Sequence, residues 1–130
     1  MTEHWIIPCS VKKFDVVDYF TSHETIVWRR ISAVQEGDIA YIYVGSPFSE
    51  VRYKCEVISD NVDEKVLSKN TYALREDRPR SRYMQLKLIK EYSEGQYSLA
   101  NLRKHGLNQT QTQARTDRKL QLYFDATDKE

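Results

Sequence analysis

Gly37-Asp-Ile-Ala-Tyr-Ile-Tyr-Val44, then Gly45-Ser-Pro-Phe-Ser-Glu50, then Val51-Arg-Tyr-Lys-Cys-Glu-Val-Ile58: the reading of this stretch decides the fold. Both flanks are dense in β-branched and aromatic residues, and a Gly-Ser-Pro breaker separates them. The pattern predicts two strands joined by a loop. In the first strand Ile39, Tyr41 and Tyr43 share one face, and Ala40, Ile42 and Val44 share the other. Neither face is polar, so this strand is expected to be covered on both sides, by core and by a helix or ligand. In the second, Val51, Tyr53, Cys55 and Val57 alternate with Arg52, Lys54 and Glu56, as in a half-buried strand.

Outward from the hairpin, Trp5-Ile-Ile-Pro8 reads as a short strand. Asp15 with Asp18 three residues later suits a helix N-cap, and Val16, Val17 and Phe20 give that helix, Asp15 to Ser22, its apolar stripe. Thr25 to Trp28 reads as extended, and Ser32 to Glu36 as a linker. Ser59 to Lys69 is polar, and Arg75 to Arg82 is an arginine-rich loop containing Pro79. Tyr83 to Tyr92 alternates as a strand. Ser98 caps a short helix that ends at Gly106 with basic residues in its last turn. Asn108 to Ala114 is a polar loop of Gln and Thr. Arg115 to Phe124 reads as a final helix, with a strand as the alternative, and Asp125 to Glu130 as a frayed acidic tail. The whole predicts an α+β domain over residues 1–125, built on a curled, partly closed sheet, with 126–130 as its tail.

The chain has 130 residues and a formal net charge of +1, so bulk charge selects no partner. Its distribution is uneven. From Arg75 to Lys119 there are eleven Arg or Lys against five acids. Such a concentration suits phosphate binding, although a solvated surface has the same composition. Cys9 and Cys55 lie in predicted strands without CxxC spacing and read as buried free thiols of a reduced, intracellular protein. No apolar run reaches the ~18 residues of a membrane span, and the N-terminus lacks signal-peptide features, so a cytoplasmic location and no membrane partner are expected.

No GxGxxG, Walker-type or GxSxG motif is present, and the three histidines are scattered. No catalytic group, metal site or cofactor is expected from spacing alone. The chain is instead rich in aromatics, 12% of residues with nine tyrosines and two tryptophans. Phe14, Phe20, Tyr123 and Phe124 are expected in the core. Trp28 is followed by Arg29 and Arg30. That position suits core filling and ligand contact alike, because a ring beside guanidinium groups can stack a nucleobase while the cations hold phosphate.

These stretches carry a resemblance. Trp5-Ile-Ile-Pro-Cys-Ser10 with Lys12-Lys-Phe-Asp15, Ile26-Val-Trp28, Gly37-Asp38 leading into Tyr41-Ile-Tyr-Val-Gly45 and Tyr53-Lys-Cys-Glu-Val57, and Leu102-Arg-Lys-His-Gly106 together resemble an EVE domain. EVE domains are a branch of the PUA-like superfamily that also holds the YTH and ASCH domains. The resemblance implies a strongly curved β-barrel with short helices at its openings. It implies a non-catalytic module that reads a modified base, such as a methylated one, flipped from DNA or RNA. Trp28 would be a cage wall, with the backbone of Arg29 beside the base edge. Cys9 and Ser10 would lie in the pocket, and Tyr43 and Ser46 at its mouth. The loop after the hairpin has no tryptophan, which leaves Tyr72 or Tyr83 as the second wall. Arg115, with Arg80, Arg82 and Lys104, would hold phosphate. A restriction or other nucleic-acid-processing partner protein is also implied. The alternatives are an ASCH-like hydrolase of modified nucleosides, with Glu56 or Lys54 as a buried acid or base, and a protein-interaction adaptor.

Overall fold

A computed structural model describes residues 2–30, 32–62 and 82–128. Its elements follow in the order β1 (His4–Cys9), α1 (Val16–Tyr19), β2 (Thr25–Arg30), β3 (Ile39–Val44), β4 (Glu50–Ser59), β5 (Arg82–Glu91), α2 (Leu99–Lys104), β6 (Ala114–Arg115) and α3 (Arg118–Thr127). The strands form one mixed sheet, β2-β5-β4-β3-β1-β6, in which β1 and β3 are parallel and the other neighbours antiparallel. The sheet curls into a half-barrel with three short helices, the α+β, PUA-like architecture expected.

β3 is the organising strand because both its faces are buried. Ala40, Ile42 and Val44 enter the concave core with Trp5, Ile26 and Tyr53. Tyr41 and Tyr43 enter a second core, under α2 and α3, with Leu102, Leu120 and Phe124. Tyr41 stacks on Phe124 at 4.1 Å and 6°. Such a pair adds about 0.5–1.5 kcal/mol to the burial of the rings themselves. Gly37, at φ +93°, makes the turn into β3 that an L side chain would strain. The buried carboxylate of Asp38 then accepts hydrogen bonds from Trp5 Nε1 at 2.9 Å, Gln35 N at 2.9 Å and Glu3 N at 3.0 Å. It ties the entry of β3 to that of β1.

Four expectations are corrected. Val51 does not share a face with Tyr53, Cys55 and Val57. Ile42 pairs with Tyr53 but Tyr43 pairs with Val51, so Arg52 is a bulge residue and Val51 crosses to the second core. The first helix stops at Tyr19 rather than Ser22. Asp15 caps it as expected, accepting from Asp18 N, but Thr21 Oγ1 takes the carbonyl of Asp18 and the His23 ring that of Tyr19. The linker from Ser32 carries a fully buried core residue, Val34. Finally, the last helix starts at Arg118 under an Asp117 cap and runs to Thr127, and Arg115 belongs to β6. Asp125 is therefore helical rather than frayed. Asp128 accepts from Lys90 Nζ at 2.8 Å, Lys54 Nζ at 2.9 Å and Tyr92 Oη at 2.8 Å.

Candidate functional site

Strand direction sorts the candidate residues. β1, β3 and β5 run one way, β2 and β4 the other. The carboxyl ends of β1 and β3 therefore lie at one end of the half-barrel. The carboxyl end of β2, the amino end of β5 and the β6 partner of β1 lie at the other.

The second end holds Trp28, Arg29, Arg82, Tyr83 and Arg115. On the inner face of β2 and β5 three cross-strand pairs follow one another: Ile26 with Leu86, Trp28 with Met84, and Arg30 with Arg82. Burial falls along the series. Ile26, Leu86 and Met84 are inaccessible, Trp28 and Arg30 are half-buried, and Arg82 is exposed. Trp28 thus stands where the apolar interior gives way to a cationic rim. Phe14 meets its ring edge-on at 5.9 Å and 78°. Arg115, directly opposite Trp5 in β6, is exposed and lies over the Trp5 ring at 5.0 Å.

The edge strands β2 and β6 face each other across a seam that Gln113 spans. Its Nε2 donates to Arg29 O at 2.8 Å, and its Oε1 accepts from Ser32 Oγ at 2.8 Å. The Arg29 backbone, expected beside a base edge, therefore has its carbonyl engaged by Gln113.

Cys9, Ser10 and Ser46 gather at the opposite end. Gly45 N donates to Cys9 O at 2.9 Å, which holds the hairpin loop against the end of β1. Phe14 links this corner to Trp28, because its N–H donates to Ser10 O at 3.0 Å and its carbonyl accepts from Cys9 Sγ at 3.5 Å. Tyr43 lies in the second core, on the face away from Trp28. Tyr83, opposite Arg29, also points away from the Trp28 face. Lys104 is exposed in the last turn of α2, the helix whose Leu102 enters the second core. Tyr72 and Arg80 fall outside the described residues.

The concave core offers little acid–base chemistry near neutral pH. Burial pushes the Cys9 thiol and the Tyr53 hydroxyl up to about 12, and raises Cys55 as well. Glu56 is exposed, and Lys54 is committed to Asp128. Among the described residues no group of three or more His, Cys, Asp or Glu is placed to hold a metal ion, and no helix is long and apolar enough to cross a membrane. What this end can do is stack a planar ring on Trp28 and hold anions on Arg30, Arg82 and Arg115.

Arg30, Phe14 and Gln113 join the site only through the fold. Arg30 was within reach, because it lies two residues beyond Trp28 and a strand returns to the same face at that interval. Phe14 reads as core and Gln113 as one polar residue in a Gln/Thr loop.

No protein-family profile and no curated protein sequence matches the chain. Solved structures do. A single-residue mutant of ASCH from Zymomonas mobilis superposes with a TM-score of 0.68 at 12% identity, over 95% of each chain. A protein from Pseudomonas putida gives 0.62 at 9% identity, over 95% of this chain and 97% of that one. Rpa0253 from Rhodopseudomonas palustris gives 0.52 at 13%, over 96% and 81%. At these identities the likeness is one of fold alone, and the chain has the fold of the ASCH protein.

Proposed function

We propose that this domain is a non-catalytic nucleic-acid-binding module, of the EVE type within its superfamily, that takes a modified base flipped from DNA or RNA against Trp28. One observation carries the reading: a half-buried tryptophan sits between an apolar interior and a rim of arginines, on a single face of one strand pair. Phe14, rather than Tyr83, supplies the second aromatic surface.

The energetics agree with such a role. Extracting a base from a helix costs a few kcal/mol. Stacking on an aromatic ring returns about 1–3 kcal/mol. Phosphate contacts supply the remainder and make binding salt-dependent. A modification that adds apolar surface then shifts a near balance. The neutral thiol and phenol of the concave core, with Glu56 exposed and Lys54 engaged elsewhere, favour this reading over a nucleoside hydrolase. The natural setting is a cytoplasmic one, beside a restriction or other nucleic-acid-processing partner.

The test is binding of short single- and double-stranded DNA and RNA, with plain or methylated bases, to the wild type and Trp28→Ala. Modification-dependent binding that the substitution abolishes in a folded protein is expected. Equal affinity for plain and modified strands, or binding indifferent to Trp28, overturns the reading.

A further inference from the structure

The Arg30–Arg82 pair carries a more specific inference, which rests on the reading just given. In an antiparallel pair, directly opposed residues have their Cβ atoms about 4.5–5.5 Å apart, and like charges there are destabilising. Arg30 and Arg82 are such a pair, on the inner face, one step along the strands from Trp28 and Met84. The register gives neither arginine an acid opposite it. Arg30 is tethered by its own Nε, which donates to Val34 O at 2.6 Å, and its backbone stands one same-face step along β2 from Trp28. Arg82 is exposed and makes no ion pair among the described residues. Two arginines directly opposed in the ladder, one tethered through its Nε and the other exposed, form a fork whose repulsion a tetrahedral anion relieves.

We infer that Arg30 and Arg82 form a clamp for one backbone phosphate, the phosphodiester adjacent to the base that stacks on Trp28. The site would therefore take a nucleotide within a strand, not a free nucleoside. Arg115 stands on the other side of the Gln113 seam, over Trp5. It is outside this clamp and provides an internal comparison.

The experiment uses the full chain and a single-stranded oligonucleotide with one methylated base, in two forms. One has normal linkages, and the other carries a neutral methylphosphonate beside the modified base. Arg82→Gln is the principal variant because Arg82 is exposed, and Arg30→Lys keeps a charge while removing the fork. Arg82→Gln is expected to weaken binding of the normal strand about tenfold. It should lower the slope of log affinity against log salt by about 0.7. The modified-to-plain ratio should not change. The methylphosphonate should weaken the wild type to a similar degree and leave Arg82→Gln unaffected. Arg30→Lys should lie between. Arg115→Gln should remain sensitive to the methylphosphonate. Independent, additive losses from Arg82→Gln and the methylphosphonate overturn the clamp, as does an unchanged salt slope or an absence of binding to any strand. If preference for the modified base and its dependence on Trp28 survive while those losses are additive, the clamp alone fails. If that preference is absent in the wild type, the base-reading role fails with it.

Discussion

Gln113 Nε2 donates to the carbonyl of Arg29, at 2.8 Å and 84 positions away in sequence, and so joins the two edges of the curled sheet by a side chain instead of a strand ladder. The same amide accepts from Ser32, so both its ends are used. Gln113→Ala should destabilise the protein by about 1–2 kcal/mol, because a part-buried carbonyl loses its donor. That corresponds to a fall in Tm of roughly 3–8 °C for a chain of this size. Thermal unfolding by circular dichroism reads it. An unchanged Tm would mean that water or a neighbour replaces the bond.

Asp128 gives a pH prediction. Burial alone pushes its carboxyl up, but hydrogen bonds from Lys90, Lys54 and Tyr92 outweigh burial and hold it below the ordinary carboxylate range. A carboxyl depressed by folding contributes stability above its unfolded pKa and loses it as pH falls through the folded value. The difference in urea midpoint between wild type and Asp128→Asn should therefore be full at pH 7, begin to shrink near pH 4 and fade below that. The lysine side chains are 26% and 28% exposed, so solvent relieves part of their repulsion in the variant. A loss of about 1–3 kcal/mol at pH 7 is expected, below that of a fully buried pair.

The thiols should be silent in the folded state. Cys9 is buried with its pKa pushed up to about 12, and Cys55 is inaccessible. A thiol-specific chromogenic reagent at pH 8 should label neither until urea unfolds the chain, and both thereafter. Rapid labelling of Cys9 in native buffer would show that the corner formed by β1 and the hairpin loop opens readily.

Gly106 has φ +107°, and a Cβ there would lie 2.9 Å from Asp117 Oδ2. Asp117 caps α3 by accepting from Leu120 N at 2.7 Å. Gly106→Ala should therefore both strain its own backbone and displace the cap, for a total of about 2–3 kcal/mol. In an Asp117→Ala background the same substitution should lose less, because the carboxylate it displaces is gone. Denaturant titrations of the two single variants and the double variant measure this coupling.

Local pattern made the framework legible. The two strands of the β-branched hairpin, the Asp15 and Ser98 caps and the alternation through Met84, Leu86 and Leu88 are each written in a few adjacent residues, and each is present, with the hairpin's second strand departing from its alternation at Val51. Long-range geometry was hidden. The bulge at Arg52 depends on how β3 and β4 twist together, so Val51 could not be assigned to its face from alternation. The anchoring of Asp128 depends on Lys90 and Lys54, 38 and 74 positions away. At the site, adjacency drew notice to Trp28 and Arg29. The register that sets Arg30 against Arg82 exists only once β2 has found β5.

The strand order also governs how the molecule comes into being. β1 is the first element of this domain, yet its outer neighbour β6 and the helix supplying Leu120 and Phe124 come last among the described elements. A nascent chain lacking them carries an unpaired strand edge at β1 and bare tyrosine rings on β3. Such surfaces invite association with other chains. Completion must wait for the last elements to emerge, so the native state is reached after synthesis of the domain rather than during it.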